Sequence, residues 1–115
     1  MIINNRNRDV SFGIMLNTNN LRVRKPQAQM FERMAGKLEA PGIIDLWQIE
    51  EKGRLSKIQT NVQTKMYGVA LKLDIPHEVP KGSTESVFHH SKNALRRTLS
   101  MLKKLSEQER SEPIE

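Results

Sequence analysis

Residues 83–106 restrict the fold of this chain most, because they predict one long helix with two chemically opposite faces. Ser83, Thr84 and Glu85 suit a helix start, with a capping hydroxyl and an acidic side chain in the first turn. At 100° per residue, one arc is apolar and holds Val87, Phe88, Ala94, Leu95, Leu99, Met101, Leu102 and Leu105. The opposite arc is polar and holds His89, His90, Lys92, Asn93, Arg96, Arg97, Lys103 and Lys104. The apolar arc must be covered by another layer of the structure.

A second, shorter helix is predicted over residues 27–39. Its apolar side chains fall on one helical face, and they are Met30, Phe31, Met34 and Leu38. Pro26 is tolerated in a first helical turn, and the Ala-Pro-Gly sequence of residues 40–42 ends the helix.

Short apolar or alternating segments elsewhere predict strands. Residues 10–16 predict a first strand, with Gly13 marking a bulge and an Asn-rich turn following it. Residues 43–50 predict a second strand, with Ile44 and Leu46 on one side, and a Gly-containing hairpin turn over 51–54. The remaining segments are a weak strand over 55–62, a cleanly alternating strand over 66–74 and a Pro-punctuated loop over 75–82. Where the last strand ends, between residues 64 and 83, stays open.

This order of elements predicts an α+β fold with the sequence β-α-β-β-β-α. The expected architecture has two layers, a four-stranded, largely antiparallel sheet with both helices packed on one face. The 115 residues fit one domain, which we assign to residues 10–106. Residues 1–9 are expected to be a flexible N-terminus. Residues 107–115 are expected to be a disordered acidic tail, since the last ten residues hold four Glu and one Arg.

Nothing in the sequence predicts a catalytic, metal or cofactor site. The chain has no cysteine and its six glycines are scattered singly, so a thiolate site and a phosphate-binding loop are excluded. His89 and His90 are adjacent, so on a helix they point about 100° apart and cannot chelate one metal as an i, i+4 pair does. Glu50 and Glu51 suit a solvated hairpin tip. With no apolar run of about 20 residues and no secretory signal, we expect a non-enzymatic cytoplasmic protein without a membrane segment.

The charge pattern carries the functional prediction. The chain has 19 Lys and Arg against 13 Asp and Glu, and residues 81–105 hold six basic residues and one acidic residue. Solvated helix faces usually alternate acidic and basic residues for i, i+4 support, whereas this one has a single sign, which a polyanion favours through counterion release. A plain solvated surface or an acidic membrane are the alternatives. The predicted nucleic-acid-binding residues are Lys92, Arg96, Arg97, Lys103, Lys104, Arg33, Lys37, Arg22, Arg24 and Lys25.

Aromatic side chains do not predict base stacking. Phe12, Phe31, Trp47 and Phe88 all suit a core, and Tyr67 is ambiguous. We therefore expect contacts to the backbone of structured RNA or DNA, and not readout of single strands by stacking.

Three segments resemble the ribosome hibernation-promoting factors, also called ribosome-associated translation inhibitors. Residues 14–23 (IMLNTNNLRV) look like the opening strand and Asn-containing turn of that family, and residues 43–51 resemble its second strand with an acidic hairpin. Residues 92–105 (KNALRRTLSMLKKL) are similar to its closing basic amphipathic helix. The first helix departs from the family pattern in lacking a Lys-rich ending.

The resemblance implies binding to the small ribosomal subunit where messenger and transfer RNA pass, inhibition of translation under stress, and protection of idle ribosomes without catalysis. It implies phosphate contacts for the five basic residues of the closing helix. Two alternatives remain open: a small DNA- or RNA-binding regulator with a fold like that of double-stranded-RNA-binding domains, and an interaction module that docks an acidic protein. An enzyme is a third alternative, since catalytic residues can converge from scattered positions that the sequence does not reveal. The sequence leaves the oligomeric state undetermined.

Overall fold

A computed structural model describes residues 13–111 of the chain, with side chains through residue 107. The elements are β1 (Met15–Asn20), α1 (Lys25–Gly36), β2 (Gly42–Glu51), β3 (Arg54–Met66), β4 (Val69–Glu78) and α2 (Val87–Ser111). The predicted α+β class and the β-α-β-β-β-α order are confirmed. The residues predicted as a flexible N-terminus, 1–9, and residues 112–115 of the predicted acidic tail lie outside the described part of the chain.

The four strands form one sheet in the order β1-β2-β3-β4. β1 is parallel to β2 through the α1 crossover, and the other two pairs are antiparallel hairpins, so the sheet is largely antiparallel as predicted. Lys52 and Gly53 turn the first hairpin with φ of 53° and 76°, and Tyr67 and Gly68 turn the second with φ of 54° and 79°. Positive φ at both central residues matches the right-handed twist of the strands.

Several predicted strand limits are wrong. β3 runs to Met66, past the predicted end at residue 62. β1 begins at Met15 and includes the Asn-rich segment that was predicted as a turn, while residues 10–12 lie outside the described residues. The alternating segment 66–74 is interrupted by the turn at Tyr67, so β4 starts only at Val69. β4 also continues to Glu78 through the segment predicted as a loop, because Pro76 lies on an edge strand, where a missing N–H is tolerated.

Gly13 does not form a bulge in a strand. It lies before β1 and packs against the end of α1, where a Cβ atom on Gly13 would fall 2.3 Å from the carbonyl oxygen of Gly36. Gly42, at the start of β2, is equally constrained, since its φ is 128° and a Cβ atom there would fall 2.1 Å from the carbonyl oxygen of Gln63. These two close approaches fix how α1 joins the sheet.

The core lies between the two helices and one face of the sheet. The large apolar side chains that are fully excluded from solvent are Phe31, Ile44, Leu46, Ile58, Val62, Leu95 and Leu102. Phe31 of α1 stacks on Phe88 of α2 with ring centroids 5.4 Å apart, which joins the helices directly. Both helices therefore cover the same face, as predicted, and the other face of the sheet, which we call the open face, is not covered by either helix.

α2 differs from the predicted helix in its C-terminal end and in the burial of two of its side chains. It continues to Ser111, past the predicted end at residue 106. His90, predicted on the polar arc, is buried, and its Nε2 lies 2.9 Å from the hydroxyl of Ser83. Leu105, predicted in the apolar arc, is 38% exposed, because the sheet ends at the β3–β4 turn, where the hydroxyl of Tyr67 donates to the carbonyl oxygen of Ser106.

We predict opposite outcomes for the same substitution at two leucines of α2. Leu102→Asp places a charge in a site with 0% exposure and should lower the free energy of unfolding by about 3 kcal/mol or more. Leu105→Asp, at the exposed end of the same arc, should change it by less than about 1 kcal/mol. Urea unfolding of the two variants measures the contrast, and equal losses would contradict the placement of α2.

Candidate nucleic-acid interface

The two helices lie side by side and run in the same direction. Phe88 near the start of α2 stacks on Phe31, and further along, Leu99 and Lys103 line one groove with Met34 and Leu38. The N-termini of both helices therefore lie at the same end of the molecule. α1 has no acidic residue in its first turn, so the positive end of its dipole is not neutralised by its own helix. Glu85, predicted in the first turn of α2, lies instead two residues before that helix, and its carboxylate is 2.7 Å from Nε2 of His89.

The groove between the helices brings together cations from both of them. It has a volume of about 260 Å³ and is lined by Met34, Lys37, Leu38, Glu39, Leu99, Lys103, Ser106 and Glu107. Lys37 and Lys103, predicted from separate segments, thus share one site, and the exposed Arg33 lies one turn before Lys37 on α1. Two glutamates also line this groove, so its charge is mixed.

The opposite flank of α2 is more strongly basic. A shallow groove of about 460 Å³ is lined by Arg96, Arg97, Ser100, Met101, Lys104 and Leu105. It combines three cations with two apolar side chains and has no acidic residue in its lining. The basic residues of α2 therefore occupy both sides and the top of the helix, and do not form a single row.

Lys92 has a different environment from the other cations of α2. It is half-buried, and its ammonium lies 5.9 Å from the centre of the Phe88 ring. A cation over an aromatic face is held by the ring quadrupole. Lys92 is therefore positioned by the same aromatic pair that joins the helices.

Of the three cations predicted at the start of α1, only two are exposed and free of a nearby carboxylate in the described part of the chain. Lys25 and Arg24 are exposed at the first turn, where the Arg24 N–H donates to the side chain of Gln27. Arg22 instead lies near the end of β2, where its guanidinium is 4.0 Å from the carboxylate of Glu50. Its contribution to a positive surface is therefore partly cancelled by that carboxylate.

The cations of α2 lack such neutralisation within the described side chains. Counting carboxylates of residues 13–107, the ion pairs are Arg22 with Glu50 and His89 with Glu85 at 2.7 Å. None of Arg96, Arg97 and Lys104 has a carboxylate within 4.0 Å in that part of the chain. Lys92 and Arg96, four residues apart, repel each other instead.

The open face of the sheet carries an exposed tryptophan that was not predicted. Trp47 was predicted in the core, but it is 39% exposed there. The alternation of β2 already indicates this position for Trp47. Because Ile44 and Leu46 face the core, the odd-numbered residues of β2, including Trp47, face the opposite side of the sheet. The indole N–H of Trp47 donates to the amide oxygen of Asn61 at 3.3 Å when that amide is oriented to donate to Asp74 at 2.9 Å.

A polar row crosses all four strands beside Trp47. The strand register places Asn17, Asp45, Asn61 and Asp74 side by side. Asn17 donates to Asp45 at 2.9 Å. Asn17 with Asp45, and Asn61 with Asp74, therefore satisfy each other. The open face has mixed charge, since the register places Lys57, Lys65 and Lys72 on the same side as these carboxylates.

His77 lies on the helix-facing side of β4. Burial lowers the pKa of His77 below its usual value, and electrostatic interactions with Arg97 and His90 lower that pKa further. Arg97 therefore lies on the flank of α2 that faces β4. In residues 13–107, no three His, Asp or Glu side chains group as metal ligands.

Comparison of the chain with protein-family models, with curated proteins and with solved structures finds no match. Neither helix of residues 13–111 is long and apolar enough to cross a membrane.

The lowered pKa of His77 predicts a pH dependence of stability. In the unfolded chain this histidine titrates near pH 6.5, so its stabilising effect is complete above that pH and is lost as the pH falls toward the lower folded pKa. Wild-type protein should therefore lose more melting temperature than His77→Gln between about pH 7.5 and about pH 5.5. Identical losses in the two proteins would contradict the position assigned to His77.

Proposed function

We propose that this protein binds structured nucleic acid, without catalysis, through the solvent-facing surface of α1 and α2. The observation that carries the proposal is the set of α2 cations, Lys92, Arg96, Arg97, Lys103 and Lys104, on a helix whose described part has no acidic residue from residue 86 to residue 106. Lys37 and Arg33 extend this surface across the groove between the helices.

Stability of the fold does not account for this arrangement. The apolar arc of α2 already covers the sheet, so the polar arc is not needed for packing, and mixed charges there would stabilise the helix. The arrangement instead keeps several like charges close together in water. Phosphate groups favour that arrangement, because binding releases the counterions condensed on the nucleic acid.

The surface favours duplex or otherwise structured nucleic acid over single strands. The two phenylalanines of the helices, Phe31 and Phe88, stack on each other. The one exposed ring beside α2 in the described residues is Tyr67, whose hydroxyl is bound to Ser106. The exposed tryptophan lies on the opposite face of the sheet. Contacts from the helices are therefore made to the sugar–phosphate backbone, which positions a protein without reading sequence.

Ribosomal RNA of the small subunit is the target we propose first. The support is the resemblance of three segments to hibernation-promoting factors, together with two helices over one largely antiparallel sheet. On this proposal the bound protein inhibits translation or protects idle ribosomes. A small DNA-binding regulator is the alternative, and an electrophoretic shift of a DNA duplex without co-sedimentation with ribosomes would favour it.

Salt dependence tests the electrostatic part of the proposal. With about five to seven phosphate contacts, the slope of log K against log salt should be about −0.9 per contact on duplex-like sites. Co-sedimentation with small ribosomal subunits over a series of salt concentrations measures it. A slope near zero would mean that the basic residues are not at the interface.

Location of charge, as distinct from net charge, is tested by two matched quadruple variants. The first variant replaces four α2 cations with Ala, namely Arg96, Arg97, Lys103 and Lys104. Its affinity for the small ribosomal subunit should fall by at least about tenfold, since each phosphate contact contributes separately. The control variant removes the same charge from the first hairpin and β3, by changing Lys52, Arg54, Lys57 and Lys65 to Ala. This control should retain most of the binding, and each variant should lose less than about 0.5 kcal/mol of stability per site. Equal loss of affinity in both would contradict the assigned surface.

A further inference from the structure

The outer edge of β4 has a pattern that fits a second copy of the same edge. Among residues 13–111, β4 pairs only with β3. The N–H of Val79 donates to the carbonyl oxygen of Ser56 at 3.0 Å, which fixes the alternation of hydrogen bonds along the antiparallel pair. Odd-numbered residues of β4 therefore bond to β3, and Ala70, Lys72 and Asp74 direct their N–H and C=O groups outward.

We propose that two copies of this protein associate through β4, antiparallel, with the two-fold axis at Leu73. In this register Lys72 lies opposite Asp74 of the second copy, and Asp74 lies opposite its Lys72. These two outward-pointing pairs exchange about four backbone hydrogen bonds, and opposite charges at facing positions stabilise the pairing. The proposal does not depend on the proposed function.

The charges select this register from its neighbours. Moving the axis to residue 72 places Lys72 opposite Lys72 of the second copy. Moving it to residue 74 places Asp74 opposite Asp74 of the second copy. Both shifts juxtapose like charges, which is destabilising. Pro76, which has no N–H to donate, falls opposite Ala70 and ends the ladder on each side.

The helix-facing side of β4 is also self-complementary. α2 packs chiefly on β3 and β2, so Leu71, Leu73 and Ile75 remain half-buried. In the dimer Leu73 meets Leu73 of the second copy, and Leu71 meets Ile75. Val69, which is 64% exposed, falls beside His77 of the second copy and loses water contact.

The joined sheet also gives a place to the apolar residues on the β4 flank of α2. Two helices over the two β3 strands lie three strand spacings apart, about 14 Å. Met101 and Leu105 then face the second copy across a narrow channel. The two paired β4 strands form the floor of this channel. Arg97 and Lys104 line the same channel. Repulsion between these cations of one copy and those of the second makes the association weak at low salt.

A pair of cysteine variants tests the register directly, since the chain has no cysteine of its own. Leu73→Cys places two thiols at the axis, where facing residues have Cα atoms about 4.5 Å apart, within the range of a disulfide. Leu71→Cys is the matched control, because its two thiols are about 13 Å apart along the strands. Mild oxidation at about 0.3 M salt should cross-link Leu73→Cys at least tenfold faster than the control. Equal rates would overturn the register.

A charge-exchange series tests the association of the otherwise unmodified chain by analytical ultracentrifugation. Wild-type protein should shift from monomer to dimer with concentration, and Lys72→Asp should weaken the dimer by about tenfold or more. Lys72→Asp combined with Asp74→Lys restores opposite charges and should restore the dimer. Lys65→Asp, on the neighbouring strand β3, should leave it unchanged. A wild-type monomer at every concentration would overturn the proposal and leave the edge to another occupant, such as an acidic peptide or residues 1–12 of the chain.

Discussion

Burial of one face of a four-stranded sheet under two helices is the constraint on which the described structure depends. Leu95 and Leu102 of α2 are completely buried against strands β2 and β3, and Phe31 of α1 joins the same core. Apart from Phe31, the buried hydrophobic residues of this core are all aliphatic. The burial of Leu95 and Leu102 also fixes the rotation of α2 about its axis, so the direction of every cation on that helix follows from the packing of its apolar arc.

Local periodicity was enough to predict the class, the element order and the side on which the helices lie. It was not enough for the second hairpin, because Tyr67 continues the alternation of its neighbours and only its positive φ, next to Gly68, reveals a turn. The end of β4 was equally hidden. Pro76 argues against a strand unless that strand lies at an edge, and edge position is a property of the sheet that no local pattern contains.

The candidate site was predictable to the extent that helix geometry determines it. The spacing of Arg96, Arg97, Lys103 and Lys104 alone places them away from the core. That Lys37 shares a groove with Lys103, or that Arg22 approaches Glu50, depends on which elements the fold makes neighbours. The burial of His90 escaped the helical arc analysis for the same reason, since the loop residue Ser83 returns to contact it.

Arg97 and Lys104 connect the two proposals in one thermodynamic cycle. Association through β4 brings these cations of one copy toward those of the second, which opposes dimer formation in the absence of an anion. A polyanion that contacts both sets removes that repulsion, so it binds the dimer more tightly than two separate monomers. Because linkage is reciprocal, the same polyanion must then strengthen the dimer by the same factor. Charges that weaken the free dimer therefore make it form at a lower protein concentration when the nucleic acid is present.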